Sequence, residues 1–523
     1  MEKRLITALA LSLGILLIFQ VLGPKKQTRA AISPTQQHVT DKEVTIEKKM
    51  DKVREGENLT EITTDKYILV FSDIDAGLKE IALREYTEDD KEQTIYKATG
   101  VGSDLFALSG GILAGIEGER YESKRTENTL EYVYEEPGVV AVKKKYTFYN
   151  SLNSLQLEIE IKNLTEREKT FSFQIEGPSK LCEAGKVAGR EFTETVSLID
   201  GEKWKIKRLK GAQEKSGNVA WVGAKNRYFT LIMKPIEETK AVTVAPDEEK
   251  TIRTILKSRE YLLLPKESLK AEYLLYAGPL TIETLKDIGY GMEEMVDYGF
   301  FGAVSKKLLA ILRFLHTKTK SWGISIILLT LLINTILFPL TFKSFASMQK
   351  MKKVQPHMQK LKELHKDNPQ KLNKETMELY KKYNINPLGG CLPMLLQMPI
   401  FIALYQGLMN SIELKGAHFL WIKDLSRPDA VPLPFSLPLV GQSLNILPLL
   451  MVGMMVVQQK ISQSFTPGTG TAEQAKQQRT MMLMMPIFFG FLFYKMPSGL
   501  VLYWLTNTIL MTAEQSFISK KVG

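Results

Sequence analysis

The stretch SIILLTLLINTILFPLTF, residues 325–342, lies in a run with no charge from Ser321 to Phe342. Crossing a bilayer takes about 20 mostly apolar residues, so this run has the length of a membrane span. Further uncharged runs follow at 383–412, 430–459, 480–494 and 496–513, and one precedes them from Leu5 to Pro24. Residues 25–320 are polar and charged throughout, so the overall 44% hydrophobic content averages two unlike halves. The pattern predicts a polytopic α-helical membrane protein with six transmembrane helices, near 5–23, 321–342, 391–411, 440–459, 480–496 and 499–517. The last two are divided only by Lys495 and read as a tight hairpin.

Lys and Arg in short loops mark the cytoplasmic side. Segment 343–382 carries eleven lysines against Glu363, Asp367, Glu375 and Glu378, the loop 460–479 holds Lys460, Lys476 and Arg479, and the chain closes on SKKVG. Lys3 and Arg4 precede the first apolar run. Both termini are expected in the cytoplasm and residues 24–320 outside it. Residues 1–23 read as an N-terminal transmembrane anchor, since no small-x-small cleavage site follows IFQVLG; a cleavable signal peptide is the rival reading. Cys182 and Cys391 fall in different compartments and imply no disulfide framework. The net charge of +11 sits largely in segment 343–382, which suits anionic lipid or ribosomal RNA.

Residues 24–55 read as a linker, poor in apolar residues and without period. From 56 to 285 the chain reads as strands. In LQLEIEIKN, Leu155, Leu157, Ile159 and Ile161 alternate with Gln156, Glu158, Glu160 and Lys162. KYILVFS, VVAVKKKYTFYN, RYFTLIMKPI and AEYLLYAG look alike, which predicts a large extracytoplasmic antiparallel β-sandwich domain. The chain's five histidines, His38, His316, His357, His365 and His418, are scattered and suggest no metal cluster, and no phosphate-binding loop is present. Residues 286–320 contain a basic amphipathic helix with Val304, Leu308, Ile311 and Leu315 on one stripe, expected to lie in the membrane interface or to pack on the outer domain. Segment 343–386 reads as a cytoplasmic helical hairpin, with Lys352, Lys353, Lys360 and Lys362 as its basic face.

A buried amide in hydrocarbon needs a partner or water, and Asn334 lies near the middle of its span. Thr330, Asn334 and Thr341, at spacings of four and seven, share one helix face. Tyr503 and Asn507 are also four apart, with Trp504 and Thr506 beside them, and Gln397 adds a polar group on the third span. Sixteen of the 21 methionines follow residue 320, in clusters such as MVGMM and MMLMMP. Flexible thioethers suit a surface that accepts varied apolar partners. Met394, Met398, Phe401, Met451, Met454, Met455, Met484 and Met485 are the candidate contacts for apolar segments.

NPLGGCLPMLLQMPIFIALYQGL (386–408), SWGISIILLT, LFPLTFKS, QPHMQKL, FLWIKDLS (419–426) and PSGLVLYW (497–504) resemble, in order, the signature regions of the YidC-type membrane protein insertases. YAGPL and VDYGFF (276–301) resemble the end of the large periplasmic domain in that family's Gram-negative branch. The resemblance implies a bacterial inner-membrane protein with a five-helix insertase core over 321–523. It implies a polar groove open to the cytoplasm, in which a client's hydrophilic tail shelters while its apolar segment slides along the helices. It also implies insertion and chaperoning of nascent membrane proteins, alone or with the Sec translocon (SecYEG and accessory SecDF), without cofactor, metal or nucleotide hydrolysis. The ribosome and anionic lipids are further partners it implies, and no small-molecule substrate. Thr330 matches a groove threonine, Gln397 a polar groove position, and Trp504 a groove aromatic, commonly Tyr. Asn334 stands where the family typically has a groove arginine, so groove hydration rather than positive charge is the expectation here. The short end ISKKVG leaves ribosome contact to the hairpin 343–386 and the loop 460–479. The competing reading, a solute transporter with an external binding domain, is disfavoured by the scarcity of intramembrane charges and the lack of a visible repeat.

Overall fold

The computed structural model describes residues 56–522, apart from 89–90, 99–103, 111–112, 114, 150–152, 180, 183–193, 207–210, 238, 247–251, 366–367, 384–391, 438–440 and 464–483. The expected anchor 1–23 and linker 24–55 lie outside the described residues, as does most of the loop 460–479.

Alternation of apolar and polar residues produces the sheet domain. Leu155, Leu157, Ile159 and Ile161 are all buried, and the partners between them are not. Their strand, Ser154–Asn163, is central in a nine-stranded antiparallel sheet. The order across it is 202–206, 194–199, 219–225, 229–235, 268–279, 154–163, 140–148, 129–136 and 122–125. A four-stranded sheet (59–63, 67–72, 78–88, 91–97) and a five-stranded sheet (213–216, 239–246, 252–258, 174–176, 108–109) cover one face. Phe71, Ile81 and Tyr96 from the first, Ile175, Val242 and Leu256 from the second, and Tyr132, Val142 and Leu157 from the large sheet share one apolar core. This is the expected antiparallel sandwich.

The strand Val140–Phe148 carries an exception. Its inward positions are Val140, Val142, Lys144, Tyr146 and Phe148, so the middle lysine of KKK sits in the core. The Lys144 ammonium donates to the carbonyls of Asp75 (2.6 Å) and Phe106 (2.8 Å), and Tyr146 donates to that of Ala76 (2.6 Å). Asp75, Ala76 and Phe106 all have positive φ (59°, 46° and 70°), a left-handed backbone that turns these carbonyls toward the lysine.

The other face of the large sheet is apolar too. Val196, Trp221, Ile232 and Tyr276 join Leu285, Met292 and Met295 and continue into a helical core. That core contains helices α1 (Ile282–Ile288), α2 (Gly302–Thr319), α3 (Trp322–Leu364), α4 (Pro369–Lys382), α5 (Leu392–Met409), α6 (Ile446–Gln463), α7 (Met484–Phe493) and α8 (Ser498–Val522). Ser321 caps α3 and Asn368 caps α4, each side chain accepting from the backbone N–H three residues on. With 43 residues at about 1.5 Å each, α3 is about 65 Å long, roughly twice a 30 Å hydrocarbon core. The expected span 321–342 and the first arm of the hairpin are therefore one continuous helix, and α4 folds back on it.

Among the described residues one helix, Trp322–Met351, is long and apolar enough to cross a membrane; Leu395–Met409, Ile446–Ser462 and Met484–Phe493 are shorter apolar helices. The α8 helix has 25 residues, and Thr506, Asn507, Glu514 and Gln515 lower its hydropathy. The buried positions of α2 are Ser305, Leu309 and Leu312, so its inward face is turned about 100° from the stripe Val304–Leu308–Ile311–Leu315. Gly407 of α5 sets that rotation, because a Cβ there would lie 2.8 Å from Ser305 Oγ.

Two contacts fix the sandwich to the helices, and an ion-pair triad braces the helices beside them. Arg227, in the turn between two sheet strands, is buried; its Nε donates to the carbonyl of Met409 at the end of α5 and its Nη1 to that of Ser426 (3.2 Å). Arg313 of α2 pairs with Glu283 and with Glu413 (Nε–Oε1, 2.8 Å). Ile412 is buried in the sandwich core itself.

Burial pushes the Lys144 ammonium down from 10.5 to about 7, while Asp75 and Asp104 oppose the shift. Between those values the unfolded chain holds a proton that the folded chain lacks, so Lys144 makes stability rise with pH through this window. From pH 7 to 9 the parent is expected to gain about 1–2 kcal/mol over Lys144→Met in detergent-solubilised thermal unfolding. Parallel pH profiles for the two proteins would contradict this.

Candidate functional site

Asn334 is 5% exposed and faces α8. Its Nδ2 donates to the Thr330 carbonyl (2.9 Å) and to Asn507 Oδ1 (3.0 Å), which uses both amide hydrogens. Asn507 Oδ1 also accepts from Gln397 Nε2 of α5 (3.4 Å), and the same nitrogen contacts the Tyr503 hydroxyl. Four neutral side chains from α3, α5 and α8 thus form one cluster. Both amide hydrogens of Asn334 are thus taken by protein groups.

Seven residues further along both helices the contact recurs. Thr341 Oγ1 donates to Glu514 Oε2 (3.1 Å) and lies 3.0 Å from the Phe338 carbonyl. Asn334–Asn507 and Thr341–Glu514 have the same sequence separation of 173 residues, so α3 and α8 run parallel and in register. Seven residues is close to two helical turns, which keeps both pairs on one seam. Gln349 Nε2 extends the seam to the Ser519 carbonyl (3.3 Å), and Ser462 of α6 joins it through Gln515 Oε1 (3.0 Å).

The remaining candidates divide. Thr330 is fully buried and donates to the Ile326 carbonyl one turn back (2.7 Å). Trp504 belongs to an aromatic group rather than to the polar cluster: its ring lies 4.8 Å from Phe401, 5.5 Å from Phe489 and 5.2 Å from Phe493. Thr506 is half-buried on α8. Met398, Met484 and Met485 are exposed; Phe401, Met454 and Met455 are half-buried. Met451 departs from expectation, being buried in the helical core where it presents no surface. The side chains of Met394, Lys352, Lys353 and Lys362 lie outside the described residues, and Lys360 is exposed. Exposed Ile487, Phe488 and Phe491 extend the Met484–Met485 surface along α7.

Sequence reasoning missed Glu514 and the opposite end of the bundle. The signal for Glu514 was present, since 334/341 and 507/514 share a spacing, but single-helix faces do not pair themselves. At the sandwich end, Asp429 Oδ2 accepts from Leu447 N (2.8 Å) at the start of α6 and from Trp421 Nε1 (3.2 Å). Asn445 Nδ2 donates to the Tyr494 carbonyl (2.6 Å), and Ser498 Oγ to that of Arg427 (2.6 Å). These bonds pin the starts of α6 and α8 and the end of α7 beside Arg227.

Asn334→Leu and Asn507→Leu should each destabilise the protein by about 0.5–1.5 kcal/mol in mixed-micelle unfolding, with a coupling of about 0.6 kcal/mol between them. Strict additivity would contradict the pairing.

Residues 314–523 match the family model of the 60Kd inner membrane protein, and residues 59–311 that of the YidC periplasmic domain. The membrane protein insertase YidC of Geotalea uraniireducens is 32% identical over 553 aligned residues, covering 100% of both chains. That of Geobacter sp. strain M21 is 34% identical over 480, covering 88% of this chain and 85% of its own. Among solved structures, an active YidC insertase with its first transmembrane domain resolved aligns over 87% of this chain and 91% of its own, at 18% identity and a TM-score of 0.38.

Proposed function

Since the chain belongs to the YidC family of membrane protein insertases, we propose that the α3–α5–α8 polar cluster is the closed state of its client groove. The protein is an inner-membrane insertase with a periplasmic domain, and it acts on nascent membrane proteins. The observation that carries the groove assignment is the sharing of Asn507 Oδ1 by Asn334 and Gln397.

Hydrogen bonds between neutral side chains inside a membrane bundle are worth only about 0.6 kcal/mol on average, so they exchange cheaply. A client's hydrophilic tail offers amides and hydroxyls that replace Asn334, Asn507 and Gln397 as one another's partners. The tail then crosses hydrocarbon with its polar groups satisfied, which lowers the desolvation barrier. Exposed Met398, Met484, Met485 and Phe491 give the apolar segment a yielding surface beside this path. The step is non-covalent and uses no nucleotide.

Helix direction supports the topology. Parallel α3 and α8 begin at the sandwich and end at the lysine-rich arm of α3, while α5 ends at Arg227. Placing the sandwich in the periplasm puts the C-terminus and the hairpin in the cytoplasm, in keeping with the positive-inside rule. With the N-terminal run as a sixth span, the N-terminus is cytoplasmic as well. Asn334 then sits about 18 Å along α3, near mid-membrane. The hairpin of α3 and α4 is the ribosome and anionic-lipid contact, and SecYEG with SecDF is the partner for larger clients.

In liposomes holding only the purified protein, a small two-span client should become protease-protected above the empty-liposome level. Asn334→Leu should lower the insertion rate roughly three- to tenfold, and Asn334→Arg should keep it. Undiminished insertion by Asn334→Leu would overturn the groove assignment. Deleting 343–386 should abolish ribosome co-sedimentation, and retained binding together with retained insertion would remove the hairpin from the mechanism.

A further inference from the structure

Glu514 is the one ionisable side chain, among the described residues, that the seam draws in beside Thr341, and it is half-buried. Among the described residues its carboxylate has a single hydrogen-bond partner, the Thr341 hydroxyl, and no ion pair. Elsewhere in the chain, enclosed glutamates meet a cation: Glu57 faces Lys79, Glu176 faces Arg253, Glu194 faces Lys225 and Glu413 faces Arg313. Lys343, Lys460, Lys520 and Lys521 are exposed near these helix ends and form no pair with it. The cluster one heptad away, Asn334, Gln397, Tyr503 and Asn507, is neutral.

Position completes the argument. Glu514 lies about 24 Å along α8, and Thr341 about 28 Å along α3, which is the inner edge of a 30 Å hydrocarbon layer. A partly desolvated carboxylate without a counter-charge favours any cation brought to it. The cations that arrive at this depth are the Lys and Arg residues that flank transmembrane segments on the cytoplasmic side.

We propose that Glu514 docks the basic cytoplasmic flank of a client's transmembrane segment. This rests on the groove reading and adds a substrate class to it: apolar segments with a basic inner flank. Held at the inner mouth, the flank stays in the cytoplasm while the opposite, uncharged tail exchanges with the Asn334 cluster. The client is thereby oriented as well as inserted.

The test uses the full-length protein in liposomes and two single-span clients that differ only in the flank, Lys-Lys-Arg or Gln-Gln-Gln. The readout is the ratio of their protease-protected yields. The parent should favour the basic flank roughly three- to tenfold, Glu514→Gln should bring the ratio near one, and Glu514→Lys should take it below one. Thr341→Val, which removes the hydrogen bond and keeps the carboxylate, should change both yields and preserve their ratio. A parent with no preference, or a Glu514→Gln protein that keeps it, overturns the proposal. Failure of the groove reading is seen separately, as full insertion by Asn334→Leu.

Discussion

An amide in the middle of an apolar helix has to be satisfied by protein or water, and here Asn507 satisfies Asn334 across 173 residues of chain. Much of the helical core is arranged around that requirement. The bond sets α3 and α8 parallel, and the Thr341–Glu514 contact two turns later fixes their register. Gln397 brings in α5 through the same acceptor. Helices in lipid lack a hydrophobic force holding them together, so such contacts act as glue of modest strength. Modest strength suits the exchange of partners that the proposed groove requires.

The sandwich acts on this core from one end. Arg227 places a buried guanidinium on the last carbonyl of α5, where it offsets the negative end of that helix's dipole. The aromatic ring of Tyr228 lies 4.6 Å from the guanidinium carbon. Bonds from Asp429, Asn445 and Ser498 close the same end around α6, α7 and α8. At the opposite end the described residues offer long polar side chains, Gln349, Glu514 and Gln515. That asymmetry suits a bundle anchored at the sandwich end and yielding at the other.

The sheet domain was legible because period-two alternation is a local signal, and 155–161 carries it cleanly. The polar stripes were legible for the same reason: 330, 334 and 341 fall on one face whatever lies opposite. Their partners were not, since pairing two helices depends on tertiary packing. Met451 and Met484 are alike in sequence, yet one is buried and the other exposed, because only the neighbouring helices decide which side of α6 or α7 meets the core. Lys144 hides in KKK, which reads as a solvated run until the pleat assigns its middle residue inward. Arg227 gave no signal either, since its acceptors are carbonyls far along the chain. The rotation of α2 came from Gly407, again a residue on another element.

Parallel, in-register packing of α3 against α8 is the claim on which the groove, its polarity and the docking of basic flanks all depend. Cysteine pairs in a background lacking Cys182 and Cys391 test it most directly, by oxidative cross-linking in native membranes. The account predicts disulfides for 334/507 and for 341/514, and none for 334/514 or 341/507. Cross-links in the swapped pairs would mean antiparallel helices and would contradict it.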